Sequence, residues 1–163
     1  MHEYINRSVE KMLIYRKATM DDVQVMASMI KHYADLELML PRTLPSLYQR
    51  LRDYTVVEEK GEIIASGGLH ILWHDLAEVC SLAVHPEKTD SGIGRGLVEH
   101  LIMECRKLEI KKIFALTYQP VFFEKCGFDR IDKEQLPQKV WTECINCPKF
   151  PNCDEIALIR KVR

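Results

Sequence analysis

Two stretches of this 163-residue chain combine residue types and spacings that could do chemistry. The first is "SGIGRG", Ser91-Gly92-Ile93-Gly94-Arg95-Gly96, which follows the strand-like run "EVCSLAV" and continues without a break into "LVEHLIMECRKLE". A strand that ends in a glycine-rich turn and feeds a helix gathers unpaired backbone N–H groups and the positive end of the helix dipole at one point, which suits a phosphate. Arg95 adds a full positive charge. The same glycines also suit an ordinary tight turn, and the turn by itself does not separate the two readings. It is not a P-loop, because "GK[ST]" is absent, and it lacks a third glycine where a dinucleotide fingerprint needs one.

The second stretch is "CINCPKFPNCDE", which sets Cys144, Cys147 and Cys153 in a C-x2-C-x5-C pattern. The first pair has zinc-knuckle spacing, but three thiolates are one short of a closed tetrahedral site. Cys126, Cys80, His70 and His74 are the candidates for a fourth ligand. The competing reading is a set of small, buried, apolar thiols.

Elements that could position these groups follow from the hydrophobic pattern. "LIYRKA" (13–18) alternates as a strand, and Thr19 before "MDDV" reads as the N-cap of a helix running to about His32. A stretch with Pro41 and Pro45 leads to a short helix, "SLYQRLRD". The runs "YTVVEE" and "EIIASGGLHIL", separated by "KG", predict a hairpin, and "LAEVCSLAV" a further strand closed by "HP". Leu97, Val98, Leu101, Ile102, Cys105 and Leu108 have helical period. "KIFALTY", "PVFFEKC", "GFDRI" and "DEIALIRKVR" predict strand, short helix, strand and strand. The expected fold is α/β (α+β): a mixed, mostly antiparallel twisted sheet with one parallel β-α-β crossover and helices on both faces. The expected organisation is an N-terminal extension at 1–12 and one domain at 13–163 with a cysteine-containing insert at about 137–154.

Composition narrows the partners. Lys plus Arg total 23 against 24 for Asp plus Glu, with no basic stripe, which argues against nucleic acid or an anionic membrane. No apolar run approaches the roughly 20 residues that span a bilayer, and "MHEYINRSVEKM" lacks the apolar core of a secretory signal. A cytoplasmic protein with reduced cysteines is expected.

"AEVCSLAVHPEKTDSGIGRGLVEHLI" resembles the acetyl-CoA-binding core of the GNAT superfamily of N-acetyltransferases, whose signature is a strand, an [RQ]-x-x-G-x-[GA] loop and a helix. Thr89 stands where that family has Arg or Gln. The later "FFEKCGF" resembles the family's second hallmark. Within the superfamily, "PRTLPSLYQRLRDYTVV" and "LTYQPVFFEKCGFDRID" are similar to the short bacterial form of N-acetylglutamate synthase, an enzyme of arginine biosynthesis. The chain is too short to hold, in addition, the amino-acid-kinase domain of longer synthases, so regulation through such a domain is not expected.

The resemblance implies acetyl-CoA as cosubstrate and assigns roles by position. Glu78 would be the general base for the acceptor amine. Leu82, Ala83 and Val84 would pair through their main chain with the pantetheine arm, and Leu82 N–H would face the oxyanion. Thr89, Asp90, Ser91, Gly92, Ile93, Gly94, Arg95 and Gly96 would line the pyrophosphate site. Phe123 occupies the position where many members carry a tyrosine acid, and Tyr118 is a possible substitute. For a dicarboxylate such as L-glutamate, Arg42 and Lys139 are the candidate cations and Ser81 a further hydrogen-bonding group. Other amino-acid or peptide amines are alternative acceptors. A non-catalytic module that binds acyl-CoA or a metal, zinc included, is the alternative outside enzymes. A homodimer is compatible with all of these.

Overall fold

The computed structural model describes residues 12–137, 140 and 154–162. The strands are β1 (Leu13–Lys17), β2 (Tyr54–Glu59), β3 (Glu62–Trp73), β4 (Leu76–Val84), β5 (Lys112–Thr117), β6 (Asp129–Ile131) and β7 (Ile156–Lys161). The α-helices used below are α1 (Val23–Asp35), α2 (Leu44–Gln49), α3 (Ile93–Lys107) and α4 (Pro120–Lys125). One sheet takes the strands in the order β1-β2-β3-β4-β5-β7-β6. β4 and β5 are the parallel pair, joined by the α3 crossover, and the other neighbours are antiparallel. The expected mixed sheet and crossover are both present.

Helices cover both faces. Val23, Met26 and Ile30 of α1 and Leu47 of α2 pack with Tyr54, Val56 and Ala83 on one side. On the other, Val98, Leu101, Ile102 and Cys105 of α3 and Phe123 of α4 pack with Leu69, Val79 and Ile113. Among the described residues, no helix is long and apolar enough to cross a membrane.

Two helix boundaries depart from the sequence reading. The segment after Thr19 opens as a 3-10 turn, Met20–Asp22, and α1 then runs to Asp35. The Asp22 carboxylate accepts from Thr19 N at 2.7 Å and from Arg16 Nη1 at 2.7 Å. That guanidinium pair holds the Asp22 carboxyl below its ordinary pKa. The second helix starts at Leu44, not Ser46, because Thr43 caps it by accepting from Ser46 N at 3.2 Å and Pro45 fits its first turn. After Gln49 the chain tightens into a 3-10 turn, Leu51–Asp53.

Gly96 has a packing role. Its N–H is spent on Gly92 O at 3.0 Å, and a Cβ there would run into the hydroxyl of Tyr15, whose ring stacks on His100. Alanine would regain about 1 kcal/mol of helix propensity but overpack the contact at a cost of about 1–3 kcal/mol. Gly96→Ala is therefore expected to lose about 1 kcal/mol in urea unfolding. Adding Tyr15→Phe, which removes the colliding atom, should turn that loss into a gain.

Candidate active site

β4 is where the sheet opens. It pairs with β5 over only three positions, Leu76–Lys112, Ala77–Ile113 and Glu78–Phe114, whereas β5 stays paired with β7 as far as Thr117. On its other side β4 carries a bulge: Ser66 faces Ala83 and Gly68 faces Cys80, so Ser81 and Leu82 together oppose Gly67. Ser81 takes a left-handed φ of 50°, and a bulge with such a residue bends its strand. Gly67 and Gly68 make room for it. A Cβ on Gly67 would meet Leu82 Cδ1 at 2.7 Å, and one on Gly68 would meet Cys80 Sγ at 2.7 Å.

The gap continues into a cleft of about 350 Å³ that reaches the start of α3. Glu78, Ser81, Leu82, Val84, Thr89, Asp90, Gly92, Gly94, Arg95, Phe123 and Arg42 line it. Ala83 and Ile93 are buried in the core instead. Ser91 turns its hydroxyl back to Lys88 O. Gly96 does not belong to the cradle, since its N–H is already committed within the helix. Lys139, Cys144, Cys147 and Cys153 lie outside the described residues.

At the turn, Asp90 and Gly92 both adopt left-handed φ, 62° and 83°, and nothing lies within 4 Å of a Cβ on Gly92. The backbone thus reverses into α3 with the N–H groups of its first turn at the cleft. Gly94 admits the Phe122 ring, which would sit 3.3 Å from its Cβ. Thr89 Oγ1 bonds back to Pro86 O at 3.3 Å, so the residue replacing the family's Arg or Gln serves its own turn.

At the other end, Arg42 Nε donates to Ser81 Oγ at 3.1 Å. Among the described residues Nη1 and Nη2 have no hydrogen-bond partner, which leaves the guanidinium fork for a ligand. Ser81 also bonds Tyr54, whose phenol is pushed up to about 12, chiefly by burial. Burial and then Glu78 push the Cys80 thiol up to about 12 as well. That favours the protonated thiol, the weaker nucleophile. We expect iodoacetamide to label Cys80 roughly a thousandfold more slowly than an ordinary thiol at pH 7. We also expect acetyl-CoA alone to leave the protein's mass unchanged.

The leaving-group side has no tyrosine acid at the family position. Phe123 is buried edge-on between Phe122 and Phe128, at centroid distances of 5.0 and 5.2 Å. Tyr118, the possible substitute, donates to Asp154 Oδ1 at 2.7 Å and lines a neighbouring cavity, not the cleft. Among the lining residues that sequence reasoning missed are Tyr33 and Glu155. Tyr33 lies past the expected end of α1 and donates to Val84 O. Glu155, 7% exposed, immediately precedes β7 on the opposite wall.

Among the described residues no group of three or more His, Cys, Asp or Glu is placed to hold a metal ion. Two proposed fourth ligands are engaged elsewhere: His70 Nδ1 lies 3.0 Å from Asp53 Oδ2, and Cys126 is buried in the core.

Residues 22–128, which include the opened strand, the glycine turn and "FFEKCGF", match the acetyltransferase (GNAT) family. The chain belongs to that family. As a GNAT protein it is an acyl-CoA-dependent N-acetyltransferase. An uncharacterized N-acetyltransferase of Chlorobaculum tepidum is 36% identical over 145 residues, 89% of this chain and 94% of that protein. An amino-acid acetyltransferase of Mycobacterium tuberculosis is 32% identical over 133 residues, 80% of this chain and 76% of that one. The amino-acid acetyltransferase of Haemophilus ducreyi is 34% identical over 124 residues, which are 75% of this GNAT chain but 28% of that longer enzyme.

Solved structures show the same fold. The N-acetylglutamate synthase of Neisseria gonorrhoeae, complexed with coenzyme A and N-acetyl-glutamate, superposes with a TM-score of 0.85 at 23% identity, over 94% of this chain and 36% of that one. A Mycobacterium tuberculosis protein in complex with CoA gives 0.81 at 27% identity, over 92% and 99%.

Proposed function

We propose that this GNAT enzyme transfers acetyl from acetyl-CoA to the α-amine of L-glutamate, a reaction that serves arginine biosynthesis. The observation that carries the acceptor assignment is the Arg42–Ser81 bond at 3.1 Å, which fixes a guanidinium fork at the β4 bulge, three residues along the strand from Glu78. A planar fork pairs bidentately with a carboxylate and repels a polyamine. The names of the relatives support an amino-acid acceptor, and the gonococcal enzyme's complex with N-acetyl-glutamate supports glutamate in particular.

In the reaction, acetyl-CoA lies in the gap between β4 and β5 with its pyrophosphate at the first turn of α3. Gly92, Ile93, Gly94 and Arg95 supply N–H groups there, and the Arg95 side chain supplies charge. The strand edge from Leu82 to Val84, released from β5, pairs with the pantetheine arm. An α-amine is largely protonated at neutral pH, and Glu78 takes its proton, directly or through a water. The amine attacks the thioester carbon, Leu82 N–H accommodates the developing oxyanion, and collapse expels the thiolate. A thiol with a pKa of roughly 8.5 leaves adequately without an acid, which fits Phe123 at the family's tyrosine position.

An acceptor panel tests the assignment. With acetyl-CoA saturating, kcat/KM is expected to be highest for L-glutamate, lower for L-glutamine and L-aspartate, and negligible for spermidine, with N-acetylglutamate identified by mass. A different amino acid at the top of the panel would replace glutamate as the acceptor. No thiol release with any amine would favour the non-catalytic acyl-CoA module.

A further inference from the structure

The strand edge from Leu82 to Val84 and the turn before α3 form the two halves of the cleft, and one peptide joins them. It is Val84–His85, where β4 ends. His85 N–H donates to Ile64 O of β3 at 2.7 Å. A trans peptide points its N–H and C=O in opposite directions, so Val84 O faces away from β3, on the side that β5 leaves open beyond Glu78. Tyr33, near the end of α1, donates its hydroxyl to that oxygen at 2.5 Å. The residue packs against the core cluster that includes Met26, Ile30 and Ala83, and Leu38 N–H closes the helix end on Tyr33 O at 3.0 Å. The peptide is therefore gripped on both sides, by β3 at its nitrogen and by α1 at its oxygen.

Hydrogen bonds continue from this peptide into the turn. Lys88 N–H donates to His85 O at 2.8 Å, Thr89 Oγ1 to Pro86 O at 3.3 Å, and Ser91 Oγ to Lys88 O. Short steps thus carry the position of His85 as far as Ser91, beside the left-handed Gly92 that opens α3. We propose that Tyr33 is a positioning residue: by locking the Val84–His85 peptide it sets the spacing between the edge that takes the pantetheine arm and the turn that takes the pyrophosphate. A ligand that spans both halves gains from correct spacing, whereas one that fills the turn alone does not. The carbonyl oxygen has a second lone pair, so the lock does not displace the arm.

The inference rests on the reading that acetyl-CoA spans the β4 edge and the first turn of α3, so two probes are titrated against the full-length protein. One is CoA. The other is adenosine 3′-phosphate 5′-diphosphate, which keeps both phosphates of the pyrophosphate and has no arm. Tyr33→Phe, which keeps the ring and removes the hydroxyl, is expected to weaken CoA about 3–10-fold and to leave the armless nucleotide within about twofold of wild type. Val-His occurs once in the chain, so protein labelled with carbonyl-13C valine and 15N histidine reports this peptide alone by NMR. The His85 amide should exchange slowly in the wild type, and Tyr33→Phe should speed its exchange and move the Val84 carbonyl signal.

Unchanged CoA affinity in Tyr33→Phe overturns the lock. Equal weakening of both probes also overturns it, because a residue that merely supports the turn gives that pattern, and tighter CoA binding would mean that the hydroxyl competes with the arm. If the wild type binds the two probes equally, the arm adds nothing and the reading of the cleft falls together with the lock. The lock alone falls if the wild type favours CoA and Tyr33→Phe favours it just as much. Should the variant melt early, a wild-type His85 amide that exchanges at open-chain rates decides against the proposal.

Discussion

Glu78→Gln is expected to lower kcat by roughly 10²–10⁴, the range contributed by a positioned general base, while the affinity for acetyl-CoA stays within about threefold of wild type. The separation follows from the geometry. Glu78 occupies the last β4 position paired to β5, where the strands begin to part, whereas the turn from Thr89 to Arg95 lies at the far end of the cleft. Gln keeps the volume and the ability to hydrogen-bond but cannot accept the amine's proton, so the loss falls on the chemical step. Raising the pH should recover part of the activity, because more of the acceptor is then already deprotonated. Stopped-flow thiol release and equilibrium titration with CoA measure the two quantities independently. Equal losses in both would mean that Glu78 supports binding and not proton removal.

Arg42→Ala carries the second large effect, an increase of roughly 10–150-fold in the KM for L-glutamate with little change in that for acetyl-CoA. The size corresponds to a net worth of about 1.5–3 kcal/mol for hydrogen bonds to a charged group. Arg42→Lys keeps the charge but loses the planar fork and the Nε bond to Ser81, so it should recover only part of the loss. Initial rates over a range of glutamate at saturating acetyl-CoA check this. A panel repeated on Arg42→Ala should also flatten the preference among acidic and neutral amino acids. An unchanged glutamate KM would move the carboxylate site away from Arg42.

Much of the architecture was legible because it is set by local patterning. The alternation in "YTVVEE", the turn "KG" and the helical period from Leu97 to Cys105 each specify an element without help from distant residues. The crossover followed from a strand, a helix and a strand in succession. The bulge was less accessible. "SGGLHIL" reads as continuous strand, and only the pairing with β4 reveals that Gly67 and Gly68 yield space to Leu82 and Cys80. A glycine pair inside a strand is the signal that could have announced it.

The site was legible where a motif fixes spacing and obscure where folding brings distant residues together. Glu78 and the turn from Thr89 to Arg95 line one cleft, and Arg42 reaches Ser81 across 39 positions of sequence. Gly96 shows the limit of reading a glycine run as one device. Gly92 turns the chain, Gly94 accommodates Phe122, and Gly96 accommodates Tyr15 of β1, a partner 81 residues away. Tyr33 was missed because α1 runs three residues past the expected end. Glu155 was missed because a charged residue just ahead of an apolar strand gives no hint of the wall it joins.

Thiol release from acetyl-CoA by the wild-type enzyme, followed with and without L-glutamate, is the most direct test. Release should depend on glutamate, saturate with it and yield one N-acetylglutamate per thiol. Release at the same rate in the absence of glutamate, or none with any amine, would contradict it.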